Sequence, residues 1–229
     1  MNEKRHLFLV EDDLSFGAVL KSYLELNDFE VSWVDDGKLA IDRFRNSSYD
    51  LCLLDVMLPN LDGFTIGTEV RKIDPHIPFI FLTAKNLKED VLRGYSIGAD
   101  DYITKPFDTE VLLCKIKAIL NRNKQHPKSR PTQYQLGNSV FDVSLRTISR
   151  ENMEQKLSPK EADLLELLCQ NKNELLLRET ALLKIWGDDG YFTARSMDVY
   201  ITKLRKYLAN DASVEIANIH GRGFLLKTD

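Results

Sequence analysis

The first half of the chain alternates short apolar runs with stretches in which apolar residues recur at helical spacing. Apolar runs of this length, joined by helices, predict buried parallel strands in a βαβ sheet. The runs are Leu7–Val10, Leu51–Leu54, Phe79–Leu82 and Tyr102–Thr104. Polar residues with reactive or ion-binding chemistry follow each run directly. In open sheets of this kind the ligand site lies outside the carboxyl ends of the strands, so the pattern predicts one shared crevice.

The residues that would meet in this crevice have complementary chemistry. Glu11, Asp12 and Asp55 bring carboxylates together, and such a cluster repels itself unless a cation or a proton compensates. Hard oxygen ligands of this type suit Mg²⁺, and a carboxylate can also act as a nucleophile toward phosphorus. A phosphoryl group arriving there needs a cation and a hydrogen-bond donor, which Lys105 and Thr83 would supply.

Composition and charge divide the chain into two parts. A length of 229 residues, 43% hydrophobic and 29% charged, suits two globular domains. We predict domains at 1–122 and 133–229, joined by a polar linker at 123–132 that contains two prolines. Residues 1–122 carry a net charge of −6 and residues 123–229 a net charge of +2. An acidic part joined to a mildly basic part is a weak indication of ion chemistry combined with nucleic-acid contact.

The sequence gives no indication of a membrane protein. No apolar stretch approaches the roughly 20 residues that a membrane span needs. The N-terminus leads directly into a strand-like run and does not resemble a signal peptide. We therefore predict a cytoplasmic protein with no membrane partner.

The second half predicts short strands followed by helices and a closing hairpin. A capping box, Ser158–Glu161 with proline at the first helical position, opens one helix. A second helix is predicted at about 178–186, ending at Gly187, and a third at about 194–208. The third helix has one apolar stripe and an opposite face with basic and polar residues, as reading a major groove requires. This face carries Arg195, Thr202 and Lys206, and it is flanked by Lys203 and Arg205.

Several motifs in the first domain resemble those of the receiver domain of bacterial response regulators, in particular the OmpR/PhoB-type branch. They are Val10–Asp13, Leu54–Pro59, Leu82–Ala84 and Gly98–Phe107. The resemblance implies a doubly wound, five-stranded parallel α/β sheet. It also implies that a partner sensor histidine kinase phosphorylates Asp55, with Lys105 beside it and Thr83 and Tyr102 as the switch. Mg²⁺ would be held by Glu11, Asp12, Asp55 and the backbone carbonyl of Met57. The output surface would be residues 86–122.

The second domain resembles the winged helix-turn-helix effector of the same branch. The motifs are Leu157–Glu161, Ile185–Gly187, Arg195–Arg205 and Gly221–Phe224. The resemblance implies contacts with double-stranded DNA from the basic helix face and from the wing, where His220 and Arg222 lie. It also implies that the loop Gly187–Thr193 contacts RNA polymerase. Base preference does not transfer, because Tyr200 and His220 stand where His and Arg are common.

The dimer surface also departs from the usual pattern. Relatives pair a basic residue on the fourth helix with Glu on the fifth, but here the positions are Val91 and Val111. The second usual pair survives as Asp101 with Lys115. We predict a homodimer through this face, with the two valines forming an apolar contact. The alternative is that the valines belong to the monomer core and the dimer is a different one.

The predicted function is that of a two-component response regulator and DNA-binding transcriptional regulator that does not turn over a substrate. Phosphorylation of Asp55 would promote dimerisation and promoter binding. One alternative is a constitutive DNA-binding regulator whose receiver is only a dimerisation module. Another is a phosphatase or phosphotransfer enzyme, but that class usually has an acid two residues after the nucleophile, where this chain has Met57.

Overall fold

A computed structural model describes residues 4–84, 88–122, 131–151, 153–187 and 189–228. The chain divides into two compact units, Met1–Lys128 and Ser129–Asp229. Most of the predicted linker, residues 123–130, lies outside the described residues, as do residues 86 and 87 of the predicted output surface. No helix in the described ranges is long and apolar enough to cross a membrane.

The first unit is a five-stranded parallel sheet with helices on both faces, which confirms the predicted receiver fold. Its strands run in the order β2-β1-β3-β4-β5. They are β1 (Arg5–Val10), β2 (Phe29–Val34), β3 (Leu51–Asp55), β4 (Phe79–Thr83) and β5 (Asp101–Thr104). The helices are α1 (Leu14–Leu26), α2 (Gly37–Arg45), α3 (Gly63–Ile73), α4 (Lys88–Ile97) and α5 (Thr109–Arg122).

The continuous apolar runs of the strands are explained by cores on both faces of the sheet. Successive side chains of a strand point to opposite faces. Leu7 and Leu9 pack with residues of α1 and α5, whereas Phe8 and Val10 pack with residues of α2 and α3. A strand covered on both sides buries every side chain, so its sequence shows no alternation.

Aspartates begin the first three helices of this unit. Asp13 accepts hydrogen bonds from the amides of Ser15 and Phe16 and so caps α1. Asp36 and Asp62 do the same for α2 and α3. A carboxylate at this position satisfies amides that have no partner within the helix. Asp13, next to the acidic pair, therefore has a structural role.

The second unit combines two small antiparallel sheets with three helices. One sheet has the order β6-β7-β8-β9 and the other the order β10-β12-β11. The strands are β6 (Gln133–Leu136), β7 (Ser139–Asp142), β8 (Thr147–Arg150), β9 (Met153–Lys156), β10 (Leu175–Leu177), β11 (Val214–Ile219) and β12 (Gly223–Thr228). The helices are α6 (Pro159–Gln170), α7 (Arg178–Trp186) and α8 (Tyr191–Leu208). This is the predicted winged-helix architecture.

Two features of this unit differ from the sequence prediction. Helix α8 begins at Tyr191, three residues before the predicted start, because the Gly190 carbonyl accepts from the Ala194 amide. Aromatic and β-branched residues have modest helix propensity, which hid this first turn. Strand β10 was not predicted at all. Its three residues become a strand by pairing with β12, a contact between distant parts of the sequence.

Candidate phosphoacceptor pocket and nucleic-acid interface

Three carboxylates meet at the carboxyl ends of β1 and β3. Glu11 and Asp12 follow β1 directly, and Asp55 is the last residue of β3. One carboxylate oxygen from each of them lies within 4.8 Å of the others. Glu11 and Asp55 are buried, and Asp12 is partly exposed. Because β1 and β3 are neighbours in a parallel sheet, residues 44 positions apart in sequence share this site.

Lys105 neutralises part of this acidic cluster. Its Nζ lies 2.6 Å from Glu11 Oε2 and 2.6 Å from Asp55 Oδ2. Burial alone lowers the pKa of Lys105, but its hydrogen bonds to the two carboxylates outweigh that effect and raise the pKa. The ammonium also lies 4.6 Å from the centre of the Phe16 ring. Lys105 is therefore held as a cation beside the oxygens of Asp55.

Glu11 has a raised pKa in this pocket. Its burial raises its pKa from 4.5 to about 7, with the charge of Asp55 adding to the rise and the hydrogen bond from Lys105 opposing it. The backbone of Glu11 is fixed, since its carbonyl accepts from the Trp33 indole at 2.9 Å and its amide donates to Val34. A carboxylate held in this way suits a divalent cation, which would compete with the proton.

The second oxygen of Asp55 is oriented by the backbone. The Met57 amide donates to Asp55 Oδ1 at 2.7 Å, while Oδ2 faces Lys105. Helix α3 begins very close to this strand end: a Cβ at Gly63 would lie 1.9 Å from the Asp55 carbonyl oxygen. Glycine at that position allows the loop after β3 to fold back on itself. Both carboxylate oxygens of Asp55 are thus directed by fixed neighbours.

Thr83 and Tyr102 lie together at the ends of β4 and β5. Thr83 is buried, and its side chain is hydrogen-bonded to the Tyr102 hydroxyl. Burial raises the pKa of Tyr102 to about 12, and the charge of Asp90 contributes. The ring packs closely against α4, since a Cβ at Gly94 would lie 2.9 Å from Tyr102 Cδ2. In this structure the threonine hydroxyl is therefore engaged with the tyrosine.

The pocket fits Mg²⁺ by the chemistry of its donors. Glu11, Asp12 and Asp55 supply three carboxylates on one side, which leaves an incomplete shell of hard oxygens open to water and phosphate. The role of the Met57 carbonyl remains a prediction. The exposed side chain of Met57 lies at the rim of the pocket, two residues after Asp55.

One of the four predicted dimer residues, Val91, is not on the surface of the unit. Val91 is 3% exposed and belongs to the interior of the unit, whereas Val111 is 50% exposed. Lys115 Nζ lies 2.6 Å from Asp101 Oδ2 within the same chain. The predicted apolar contact between Val91 and Val111 across a two-fold axis is therefore wrong for this conformation, because Val91 is already covered by its own chain. The stated alternative, a valine in the monomer core, holds for Val91 alone.

Helix α8 presents part of its predicted face to solvent. Arg195, Thr202 and Lys206 are exposed. The Arg195 guanidinium lies 3.8 Å from Asp198 and 5.7 Å from the centre of the Tyr191 ring, so it stands close to the helix surface. Thr202 donates to the Asp198 carbonyl. A partly exposed helix face with these donors and cations suits the edges of bases and the phosphates of a major groove.

Two other residues predicted to touch DNA are engaged inside the unit. Lys203 Nζ lies 2.7 Å from Glu161 Oε1, and Glu161 is buried. Arg205 is an exposed residue, and its Nε donates to the Ile216 carbonyl on β11 at 2.8 Å. The placement of Lys203 does not support the predicted DNA contact, because its ammonium points to α6. Helical spacing alone could not reveal this pairing.

The sequence prediction missed the role of Arg178 at the start of α7. Its Nη1 lies 2.8 Å from Asp198 Oδ1, and its Nη2 donates to the Ala194 carbonyl. Its amide donates to the Arg222 carbonyl in the wing at 3.0 Å. One residue therefore joins α7, the first turns of α8 and the wing. Tyr200, which stands where relatives commonly have His, is fully buried against Trp186 and is a core residue.

The wing is the turn between β11 and β12. His220 and Arg222 are exposed there, on either side of Gly221 with φ +65°. The Arg222 amide closes the turn on the Ile219 carbonyl at 2.9 Å. Their exposure is compatible with contact to a minor groove or its phosphates, which stays a prediction.

Comparison with known proteins identifies the family of each unit. Residues 7–117 match the family of response regulator receiver domains. Residues 152–226 match the family of C-terminal domains of transcriptional regulatory proteins. The chain is 49% identical over 228 residues to the transcriptional regulatory protein RprY of Bacteroides fragilis, covering 100% of this chain and 97% of that protein. It is 35% identical over 223 residues to CiaR of Streptococcus pneumoniae, covering 96% and 97%.

A solved structure is similar to this chain over the length of both units. The response regulator DrrB, an OmpR/PhoB homologue of Thermotoga maritima, is 27% identical with a TM-score of 0.51, covering 98% of this chain and 100% of that one. A receiver unit with an acidic pocket, followed by a winged helix, defines a transcriptional regulator with a DNA-binding C-terminal domain. The chain belongs to the OmpR/PhoB-type two-component response regulators.

Proposed function

We propose that Asp55 accepts a phosphoryl group from a phosphohistidine of a partner sensor histidine kinase, and that this promotes dimerisation and promoter binding. The observation that carries the proposal is the buried Asp55 carboxylate, with one oxygen on the Met57 amide and the other on Lys105. A carboxylate oriented in this way has a nucleophilic oxygen and a cation next to the position that the phosphoryl oxygens would take.

The transfer requires one bond to form and one to break. An oxygen of Asp55 bonds to phosphorus while the phosphorus–nitrogen bond of the phosphohistidine breaks, and the imidazole leaves. Lys105 balances negative charge on the transferred group, as its 2.6 Å contacts with Glu11 and Asp55 suggest. Phe16 limits where the ammonium can move, because its ring lies against it.

Mg²⁺ belongs to the proposal as the resident cation. Glu11, Asp12 and Asp55 would hold it with the backbone carbonyl of Met57. When bound, it compensates the carboxylate charges and accepts phosphoryl oxygens as ligands. Glu11 must give up its proton for this, and its raised pKa makes that step depend on pH.

Phosphorylation of Asp55 would change the rest of the unit through the hydrogen bond of Thr83. The new phosphoryl oxygens offer its hydroxyl a stronger acceptor than the Tyr102 hydroxyl that it contacts in this structure. The exchange changes what holds the Tyr102 ring on the α4 side of the unit. A phosphoryl group shifts the balance of two states only by its different contacts with each.

Dimerisation would then strengthen DNA binding. Two receivers that associate bring two winged helices to adjacent half-sites and raise the effective concentration of the second. The exposed Val111 remains a candidate for the receiver surface, together with α5 around it. The segment 187–193 remains a candidate contact with RNA polymerase; its last three residues form the first turn of α8, and residue 188 lies outside the described residues.

The test is incubation of the full chain with acetyl phosphate and Mg²⁺, followed by intact mass and light scattering. We expect one added phosphoryl group and formation of a dimer. The Asp55→Asn variant should gain neither. Uptake that survives in this variant would place the phosphoryl group elsewhere. A dimer that is present before phosphorylation and unchanged afterwards would favour the constitutive regulator.

A further inference from the structure

A buried carboxylate connects two helices of the DNA-binding unit. Glu161, in the first turn of α6, is 3% exposed. Its Oε2 accepts from the Ser158 amide at 2.9 Å, and its Oε1 lies 2.7 Å from Lys203 Nζ on α8. Tyr207, one turn further along α8, hydrogen-bonds to the same carboxylate. The carboxylate that caps α6 therefore also holds two residues of α8, the helix that is predicted to read the major groove.

Lys203 cannot leave this partner without a cost. Its side chain is 26% exposed and follows the helix surface toward α6. Breaking the pair leaves the Glu161 charge buried; among the described residues, the Ser158 amide and Tyr207 then remain as its hydrogen-bond partners. An exposed lysine has no such restraint and can follow a phosphate. Lys203 therefore differs from Lys206, which is on the exposed face of the same helix.

A second ion pair holds the other end of α8. Arg178 reaches Asp198 and the Ala194 carbonyl from α7. The two attachments lie at opposite ends of the segment that carries Arg195 and Thr202. With both in place, the direction of α8 relative to α6 and α7 is fixed before DNA arrives.

We propose that Lys203 is a positioning residue that, with Glu161, sets the orientation of α8, and that it does not contact DNA. Bases would be read by the exposed residues of the helix, whose reach depends on that orientation. Sequence-specific binding then depends on the Lys203–Glu161 pair. Non-specific binding depends on cations near phosphates and is independent of this pair.

The experiment compares full-chain variants on two DNA duplexes. The first is a short duplex enriched by the wild-type chain from a random-sequence pool, and the second has the same composition in scrambled order. Affinity is measured for both over a range of salt concentrations. The variants are Lys203→Gln and Glu161→Gln, with Lys206→Gln as the matched control on the exposed face.

Both members of the pair should give the same result. We expect Lys203→Gln and Glu161→Gln to bind the enriched duplex about tenfold or more weakly, the equivalent of one or more lost base contacts. Affinity for the scrambled duplex and the slope of log K against log salt should stay near the wild-type values. Lys206→Gln should weaken binding to both duplexes and reduce the slope by about 1, as for a phosphate contact.

The opposite result would overturn the proposal. If Lys203 contacts DNA, then Glu161→Gln frees its ammonium and adds positive charge, so affinity rises or stays unchanged. Lys203→Gln would then weaken both duplexes and lower the salt slope by about 1. If a single variant does not fold, the double variant Glu161→Gln/Lys203→Gln, which has no buried charge at this position, decides by its salt slope. An unchanged slope supports positioning, and a reduced one shows a phosphate contact.

Discussion

The acidic pocket and helix α8 were both predicted from polar residues that recur at positions set by the secondary structure. The structure places the predicted side chains together in the pocket, but only part of them lie on the exposed face of α8. In the pocket, Glu11, Asp55 and Lys105 meet within hydrogen-bonding distance, as their positions at strand ends predict. On α8, Arg195 and Lys206 face solvent while Lys203 turns to α6. Strand ends of a parallel sheet converge by topology, whereas a helix face leaves long side chains free to choose a partner.

The two regions differ in the length of the side chains that were predicted to act. A carboxylate directly after a strand has a short side chain, so its position follows the backbone. A lysine has four methylene groups, and its ammonium can sit several ångströms from where the helical wheel points. A buried carboxylate nearby, such as Glu161, then decides its direction.

The largest effect is expected for Lys105→Met in the pocket. Removing the cation leaves Glu11 and Asp55 facing each other and leaves the phosphoryl charge unbalanced. Phosphoryl uptake from acetyl phosphate, followed by intact mass, should slow by about 100-fold or more. Lys117→Met, an exposed lysine on α5, is the control and should match the wild-type rate. A Lys105→Met rate within threefold of wild type would contradict the role of this cation.

The Lys203–Glu161 pair should be the strongest ion pair of the DNA-binding unit for stability. We expect Lys203→Met to lower the free energy of unfolding by about 2–3 kcal/mol, because Glu161 stays buried without its cation. Lys227→Met breaks an exposed pair with Glu215 and should cost at most about 0.5 kcal/mol. Urea unfolding measures both. Equal losses would show that burial does not separate the two pairs.

The two valines of the predicted dimer face should behave oppositely. Val91→Ala removes two buried methyl groups and should cost about 2 kcal/mol in the free energy of unfolding. Val111→Ala lies on the surface and should change stability by less than about 0.5 kcal/mol. Light scattering of the phosphorylated variants then measures dimer formation. A dimer that is weakened by Val111→Ala and not by Val91→Ala would locate the contact on α5. A stability loss at Val111 as large as at Val91 would contradict the burial difference.

The smallest effect expected is the pH dependence of Mg²⁺ affinity. Since burial raises the pKa of Glu11 to about 7, a proton competes with the metal below that pH. Affinity should fall about tenfold between pH 8 and pH 6. The fluorescence of Trp33, whose indole donates to the Glu11 carbonyl, is a suitable signal. Without metal, the free energy of unfolding changes with pH in the opposite direction to the Mg²⁺ affinity. The folded unit binds the Glu11 proton more tightly than the unfolded chain does, so the free energy of unfolding falls as pH rises from 4.5 through 7.

The control for this experiment is Glu11→Gln. It should bind Mg²⁺ more weakly and lose the pH dependence between pH 6 and pH 8. A wild-type affinity that is constant over this range would mean that Glu11 is ionised throughout.

Most of the fold could be predicted because its signals are local. The four apolar runs, the capping box at Ser158 and the stop at Gly187 each depend on a few neighbouring residues. What escaped prediction depends on distant partners. Strand β10 exists only beside β12, and the direction of Lys203 depends on a carboxylate 42 residues earlier. The burial of Val91 likewise follows from how α4 packs, which helical periodicity does not determine.

The attachment of Arg178 has a consequence for the length of the DNA site. Its amide holds the wing at Arg222, and its guanidinium holds α8 at Ala194 and Asp198. The two parts that are predicted to enter the major and the minor groove are therefore kept at a fixed separation. One base pair advances the duplex by about 3.4 Å. A half-site with one base pair inserted between its two contacted segments should engage the helix or the wing, but not both.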